Sequence, residues 1–259
     1  MKADQRALKD LLDQKFGQYN NASFIELDPI SIPHNFSKKQ DIEIAGLFAA
    51  ILAWGQRKTI ISKSRDLMNR MDNSPYQFVL NHTSGDLKGL ENFAHRTFNG
   101  TDLLFFVHVL KEHYQVSETL EDLFLSDDQT KPPMKGMLTV FHGLFFQSDF
   151  APQRTRKHVP TPVRGSACKR LNMYLRWMVR QDNKGVDFGI WNRISMADLI
   201  CPLDVHVERV ARRLGLLERK QTDWLAAVEL TENLSRFDPH DPVKYDFALF
   251  GMGKEKDQW

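Results

Sequence analysis

Two side chains in the second half of the sequence, a lysine amine and an aspartate carboxylate, are of the types that covalent catalysis uses. Lys169 lies in the segment GSACKRLN (residues 165–172), in which a glycine leads directly into an amphipathic helical pattern. Asp204 lies in PLDVHVERV (residues 202–210), at the expected first turn of another helix. An amine and a carboxylate that meet at one electrophilic carbon, such as C1′ of a sugar, form a minimal nucleophilic site.

To act as a nucleophile, Lys169 needs an uncharged amine. The ordinary pKa of a lysine is ~10.4, so reactivity near pH 7 requires a depression of about three units, roughly 4 kcal/mol. Burial and neighbouring cations lower the pKa of an amine. Arg170, the other basic residues nearby and the positive end of the helix would all act in that direction. The alternative is that Lys169 is an ordinary surface charge in the first turn of a helix.

Asp204 follows Pro202 closely and fits the N-cap position of its helix. A carboxylate at a helix N-terminus stays ionised because the helix dipole favours negative charge there. Such a group can stabilise a positively charged sugar transition state or accept a proton from the amine. His206, two residues later, is a candidate contact for phosphate, with exposure to solvent as the alternative.

The segment 151–181 contains eight lysine and arginine residues and no aspartate or glutamate, although the formal net charge of the chain is only +2. The simplest interpretation is a solvated basic helix face. The segment also holds a loop with proline and glycine that leads into a helix N-terminus, where backbone amides point at anions. We therefore expect a phosphate-binding site. Its residues would be Arg164, Gly165, Ser166, Ala167 and Arg170.

The elements that must position these residues are helical, because apolar residues recur at helical spacing and no convincing alternating strand is found. Asp41 is the expected N-cap of the first buried helix, which runs to Trp54, and Ser74-Pro75 is expected to start a later one. Gly215 fits the end of the helix that Asp204 begins. Further helices are predicted for residues 102–114, 120–125, 134–146, 166–179, 195–199, 223–234 and 242–250, and loops for 126–133 and 150–165. The predicted fold class is all-α.

Length and composition favour a soluble globular protein, because 259 residues with 42% hydrophobic and 26% charged content can bury a core. The two cysteines exclude a disulfide framework and a four-cysteine metal or iron–sulfur site. No histidine spacing fits a metal, so we predict neither a metal nor a cofactor. The first nineteen residues form an amphipathic charged pattern and no apolar run reaches membrane-spanning length, so we expect a cytoplasmic protein.

The segment 165–172, followed by LDVHV (residues 203–207), resembles the helix-hairpin-helix–GPD superfamily of DNA glycosylases. The hairpin of that family reads roughly G-x-G-x-K-x-x-N, with the lysine as Schiff-base nucleophile of its bifunctional members. Its following helix begins roughly (V/L)-D-(T/V)-H-(V/I), with an aspartate essential for catalysis. Lys169, Asn172 and Asp204 match these positions. The chain also looks, over nearly its whole length, like an uncharacterised bacterial family of conserved hypothetical proteins.

The resemblance extends upstream and downstream of the hairpin. LAWGQR (residues 52–57) falls where endonuclease III-like enzymes carry a glutamine that enters the duplex in place of the flipped base, which implies DNA contacts by Gln56 and Arg57. FALFGMG (residues 247–253) looks like the closing helix of that fold. Two departures stand out: Ala167 replaces the second hairpin glycine, and the spacing of Lys169 and Asp204 is nearer to that of archaeal 8-oxoguanine glycosylases.

The resemblance implies two helical domains with a helix-hairpin-helix motif and an active-site cleft between them. The corresponding ranges are 36–189 for a central domain containing the hairpin, and 1–35 plus 190–259 for the second domain. It also implies a monomeric base-excision glycosylase with AP-lyase activity that acts on damaged duplex DNA, with an oxidised purine as candidate lesion. The alternatives are a non-catalytic nucleic-acid-binding protein that keeps the hairpin, and a helical interaction protein with no nucleic-acid role.

Overall fold

The computed structural model of the chain describes residues 3–125 and 133–255, and the predicted loop at 126–133 therefore lies, except for Pro133, outside the described residues. Helices account for almost all of the regular structure, which confirms the all-α class. The chain folds into two compact units. The central unit is Leu27–Pro160, and the terminal unit combines Met1–Glu26 with Thr161–Trp259.

The central unit is built from six α-helices, four 3-10 helices and one short β-hairpin within its described residues. Its core contains stacked and edge-on phenylalanines: the rings of Phe124 and Phe141 lie 4.3 Å apart, and those of Phe106 and Phe145 lie 4.7 Å apart. The α-helices are α3 (Lys39–Ile51), α4 (Arg57–Arg70), α5 (Pro75–Asn81), α6 (Ser84–Glu91), α7 (Gly100–Tyr114) and α8 (Met134–Phe145). The 3-10 helices are Pro29–Ser31, Pro33–Asn35, Leu120–Phe124 and Gln153–His158, and the strands are β1 (Ala94–His95) and β2 (Phe98–Asn99).

Asp41 caps a different helix from the one that the sequence indicated. α3 begins two residues earlier, at Lys39, so that Asp41 lies in its first turn. The Asp41 carboxylate instead accepts a 2.8 Å hydrogen bond from the backbone N–H of Tyr76, at the start of α5. Ser74, the predicted cap of α5, makes no side-chain capping bond. The Asp41 carboxylate, 35 positions away in the sequence, thus binds an amide at the start of α5 that the Ser74 side chain was expected to bind.

The terminal unit contains the remaining helices of the described chain. Its core is formed by large apolar side chains such as Trp177, Trp191 and Phe247. The α-helices are α1 (Ala3–Tyr19), α2 (Ala22–Glu26), α9 (Lys169–Val179), α10 (Val205–Arg213), α11 (Trp224–Ser235) and α12 (Tyr245–Lys254), and the 3-10 helices are Pro162–Arg164, Met196–Asp198 and Pro242–Lys244.

Helix α12 packs closely against α1 and α10 because it carries glycines where the helices touch. A Cβ on Gly251 would lie 2.2 Å from the ring of Tyr19 on α1. A Cβ on Gly253 would lie 2.9 Å from the backbone oxygen of His206 on α10. Side chains of any size at these positions would push the helices apart, so glycine is needed for the close approach.

Three predictions about organisation differ from the structure. Residues 161–189, including the hairpin, belong to the terminal unit and not to a central domain of 36–189. Arg176 of α9 and Arg180, the C-cap of α9, bind Asp246 and Asp241 near the C-terminus. Ala94 and Asn99 pair in a two-stranded antiparallel hairpin where no strand was predicted. The predicted loop at 150–165 contains two short 3-10 helices.

Candidate functional site

The turn formed by Gly165–Lys169 has two left-handed residues. Gly165 has φ +76° and no neighbouring atom within 4 Å of where a Cβ would lie. Cys168, the N-cap of α9, has φ +50°. Ala167 is not among the left-handed residues, so its replacement of the family's second glycine does not strain the backbone. The left-handed Cys168 also explains why α9 begins at Lys169 and not at Ser166 as predicted.

Hydrogen bonds within the terminal unit hold the shape of this turn. The Ser166 hydroxyl accepts from the Cys168 amide at 3.1 Å, and the Gly165 carbonyl accepts from the Trp224 amide of α11 at 3.2 Å. Asn172 donates through Nδ2 to the Ala167 carbonyl at 3.0 Å. Asn172 is only 1% exposed, so it supports the turn from within. Its side chain is therefore not exposed for the direct contact with DNA that was predicted.

Asp204 and Lys169 lie close together in the terminal unit. Lys169 Nζ is 3.9 Å from Asp204 Oδ2, and the two side chains keep 30% and 18% of their exposure. Asp204 is the N-cap of α10, and its Oδ1 accepts from the amides of His206 and Val207 at 2.9 and 3.0 Å. One oxygen therefore fixes the carboxylate on its helix, while the other faces the amine. The contact is long and the pair is partly exposed, so it contributes only about 0–1 kcal/mol to folding.

His206, predicted to contact DNA, is used by the fold. Its Nδ1 donates to the carbonyl of Gly253 on α12 at 3.2 Å, and its ring lies edge-on to Phe250 at 6.0 Å. Arg209 Nη2 donates to the same carbonyl. The ring therefore joins α10 to α12 through Nδ1, and the predicted phosphate contact of His206 stays a prediction.

The other predicted binding residues lie in both units. Arg164 and Gly165 are exposed at the turn, Ser166 and Ala167 are half-buried there, and Arg170 is half-buried in the first turn of α9. Burial lowers the pKa of the Arg170 guanidinium to about 10, which leaves it charged at pH 7. In the central unit, Gln56 is exposed at the N-cap position of α4, and Arg57 is the first residue of that helix.

The basic segment 151–181 is partly neutralised inside the protein. Arg154 pairs with Asp102 at 2.8 Å. Arg176 is buried between Asp187, at 3.2 Å, and Asp246. Arg180 is fully buried and contacts three carboxylates at 2.9–3.1 Å, those of Asp182, Asp187 and Asp241. At least three of the eight charges are therefore structural. None of these three belongs to the predicted phosphate-binding site, residues 164–167 and Arg170, which stays a prediction. The three acid-paired arginines belong to the fold.

Asp246 is a buried carboxylate near the lysine–aspartate pair that the sequence did not single out. Burial raises the pKa of Asp246 to about 6, Arg176 opposes that rise, and the charges of Asp204 and Lys169 also act on it. Burial, reinforced by the charge of Asp246, likewise raises the pKa of the Cys201 thiol well above its usual value. A sequence signal for Asp246 exists: it is the one charged residue in the apolar run YDFALFGMG. Perturbed carboxyl groups of this kind cluster at functional sites.

Metal sites and membrane spans are both absent from the part of the chain that the structure describes. Within residues 3–125 and 133–255, no group of three or more His, Cys, Asp or Glu side chains could hold a metal ion. Over the same ranges, no helix combines the length and apolar character needed to cross a membrane.

Comparison with known proteins identifies a family but not an activity. Neither curated proteins nor solved structures give a significant match. The sequence model of a family described as "Protein of unknown function (DUF2400)" matches residues 28–255. This range includes the Gly165–Lys169 turn, Asp204 and Asp246. Because the match covers most of the sequence, the chain belongs to the DUF2400 family.

Proposed function

We propose that this protein is a DNA base-excision glycosylase with AP-lyase activity that acts through a Schiff base on Lys169. The observation that carries the proposal is the 3.9 Å separation of Lys169 Nζ and Asp204 Oδ2. Both groups remain partly exposed, and each begins a helix, so that one reacting carbon can be reached by both. An amine beside a carboxylate is what attack on C1′ requires.

The proposed reaction begins with a damaged nucleotide turned out of the duplex, which costs a few kcal/mol and less for a damaged pair. The Lys169 ammonium gives one proton to Asp204, and the free amine attacks C1′. The bond between C1′ and the base breaks, and the base leaves with the electron pair and the proton held by Asp204. A second proton then moves from Nζ to O4′ as the C1′–O4′ bond opens, which leaves a protonated Schiff base.

Strand cleavage follows from that Schiff base. Asp204, ionised again after the base has left, takes a proton from C2′. The C3′–O3′ bond then breaks with its electron pair on O3′, and the downstream strand leaves with its 5′-phosphate. Water then hydrolyses the imine and returns the Lys169 amine. Asp204 is suited to these proton transfers because its Oδ1 is held by backbone amides of α10. The carboxylate therefore keeps its orientation while Oδ2, which faces Lys169, takes and gives protons.

The proposed DNA contacts near the site are the exposed backbone of Gly165, the half-buried Ser166 and Ala167, and the Arg164 side chain. The open space around Gly165 allows phosphate to approach the turn closely. Gln56 and Arg57 are proposed as contacts of the central unit with the duplex. An oxidised purine is the proposed lesion, and a monomer the proposed active form.

The test is borohydride trapping with oligonucleotides that contain 8-oxoguanine, an oxidised pyrimidine or an abasic site. We expect a covalent adduct that disappears in Lys169→Gln. Lys184→Gln is the matched control, because Lys184 is an exposed lysine of the same unit and should leave the adduct unchanged. Absence of an adduct on every substrate, with a folded protein that binds DNA, would rule out the enzyme.

A non-catalytic nucleic-acid-binding protein is the second candidate, because the bonds that shape the turn, such as that between Asn172 and Ala167, do not involve Lys169. That candidate predicts salt-dependent binding to duplex DNA without trapping. Absence of salt-dependent binding would instead favour a helical interaction protein.

A further inference from the structure

Helix α10 has one exposed face, and this face begins directly after Asp204. Val205, Arg209 and Arg213 are each four positions apart, so their side chains form a single row along the helix. All three are exposed, and Val205 keeps 72% of its exposure. The opposite face of the helix is buried and consists of Val207, Val210 and Ala211. The α10 row, as we call the three exposed residues, therefore extends about 12 Å away from the reactive carboxylate.

Arg209 is held in place within this row by a partner that carries no net charge. Its Nη2 donates to the carbonyl of Gly253 on α12. Arg176, in contrast, lies between two carboxylates that neutralise it. A guanidinium has five N–H donors, so one bond to Gly253 leaves four for another acceptor. The exposed Lys254 directly follows Gly253, so α12 adds a second cation close to Arg209.

Two acidic side chains near the α10 row are already bound to cations. Glu208, on the same helix, pairs with Arg212 at 2.8 Å. Glu255, which ends α12, lies 3.5 Å from the amine of Lys15 on α1. With these two carboxylates matched by cations, the charge of Arg209 remains in excess on this surface.

The helix dipole explains only some of the cations of α10. Lysine and arginine in the last turn of a helix interact favourably with its negative end, which accounts for Arg212 and Arg213. The dipole effect fades within one turn, and Arg209 lies a full turn before Arg213. Arg209 is therefore an exposed cation with a fixed position, in line with the reactive aspartate, and neither an acid nor the dipole accounts for it. Such a group is suited to an anion from outside the protein.

We propose that the α10 row binds the phosphates of the DNA strand that carries the damaged nucleotide, next to the reacting sugar. This rests on the proposed function, which places that sugar at Lys169 and Asp204. Arg209 and Arg213 are separated by about 6 Å along α10, and a DNA strand carries one phosphate per about 3.4 Å of duplex axis. The two guanidinium groups therefore bind different phosphates of one strand. Val205, the apolar residue nearest to Asp204, contacts the adjoining deoxyribose.

The α10 row supplies affinity and position, not chemistry. Contacts to phosphate fix the register of a protein on its DNA and do not read the sequence. Neither arginine touches the reacting C1′, so neither changes the rate of the chemical step once DNA is bound. Loss of either arginine should therefore weaken binding in a salt-dependent way and leave the reaction of the saturated protein unchanged.

The test is binding to a duplex that contains a tetrahydrofuran abasic-site analogue, measured by fluorescence anisotropy from about 50 to 200 mM salt. Each phosphate contact contributes about 0.9 to the slope of log K against log salt. We expect Arg209→Gln and Arg213→Gln each to lower the slope by about that amount and to weaken binding about eightfold at 0.1 M salt. Arg236→Gln is the matched control, because Arg236 is an exposed arginine of the same unit at the end of α11. This variant should keep the wild-type slope.

Borohydride trapping on a saturating abasic-site oligonucleotide is the second measurement, and both α10 variants should be trapped at the wild-type rate. A wild-type protein that binds no DNA at any salt concentration overturns the proposed function and the α10 row together. Binding without trapping overturns the lyase alone, and the slopes then decide the α10 row.

Unchanged slopes in both α10 variants overturn the α10 row alone. Weaker binding with an unchanged slope also overturns it, because a phosphate contact cannot be lost without lowering the slope. If Arg209→Gln does not fold because α10 loses its bond to α12, Arg213→Gln decides by the same criteria.

Discussion

Replacing Asp246 by asparagine should stabilise the protein at pH 8. The pKa of Asp246 rises from 3.8 to about 6 on folding because the carboxyl is buried. A shift of about two units corresponds to roughly 3 kcal/mol between the two protonation states. Asparagine cannot ionise and therefore avoids this cost, although it binds Arg176 less strongly, by about 1 kcal/mol. The expected net gain at pH 8 is about 2 kcal/mol.

The sign of the pH dependence follows from the raised pKa. Below pH 3.8 the Asp246 carboxyl is protonated in both the folded and the unfolded protein. Its full contribution to the free energy of unfolding is then present. Between pH 3.8 and about 6 the unfolded chain ionises first, so the free energy of unfolding falls as the pH rises. The difference between Asp246→Asn and wild type should therefore grow across this window and stay constant above it.

Urea unfolding of both proteins at matched pH values measures this difference, because the other titrating groups largely cancel. Asp187→Asn is the contrasting variant. Asp187 binds Arg176 at 3.2 Å and Arg180 at 3.1 Å, and breaking a buried pair of this kind costs about 3–5 kcal/mol. A stability difference for Asp246→Asn that does not change with pH, or a loss like that of Asp187→Asn at pH 8, would refute the reasoning.

Three further predictions concern the turn, the cap and the helix packing. Asp204→Asn should retain the capping bonds and most of the stability but lose trapping, whereas Asp204→Ala should also cost about 1 kcal/mol in urea unfolding. Gly251→Ala should destabilise by about 1–3 kcal/mol because its Cβ would overlap the Tyr19 ring. Gly143→Ala, at an exposed position of α8 with open space around it, should stabilise by about 0.5–1 kcal/mol. Gly165→Ala should cost about 1–2 kcal/mol through its left-handed φ alone, and unchanged stability would contradict that strain.

Local signals in the sequence were reliable where the interaction spans only a few residues. Asp204 caps α10 as predicted, and Gly215 ends that helix with φ +68°. Ser195 caps the short helical turn Met196–Asp198. Each of these depends on a side chain and amides two or three positions away, or on the freedom of a single glycine, so the sequence contains all the participants.

Predictions that depended on distant partners were less successful. Asp41 caps α5 instead of α3 because Tyr76 lies beside it only in the folded unit. Arg176 and Arg180 were interpreted as part of a basic surface, because their partner Asp246 lies 70 positions from Arg176 and Asp241 lies 61 positions from Arg180. Charge counted along the sequence does not reveal which charges a fold buries in pairs.

The sequence by itself determined an all-helical chain and the two reactive groups, because helical periodicity, capping residues and side-chain chemistry are local properties. The tertiary structure alone decided that Lys169 and Asp204 lie 3.9 Å apart. It also decided that Asn172 and His206 form hydrogen bonds within the fold and that Asp246 is buried against Arg176. These facts depend on how α9, α10 and α12 pack, and that packing is set by long-range burial and ion pairs that sequence spacing does not specify.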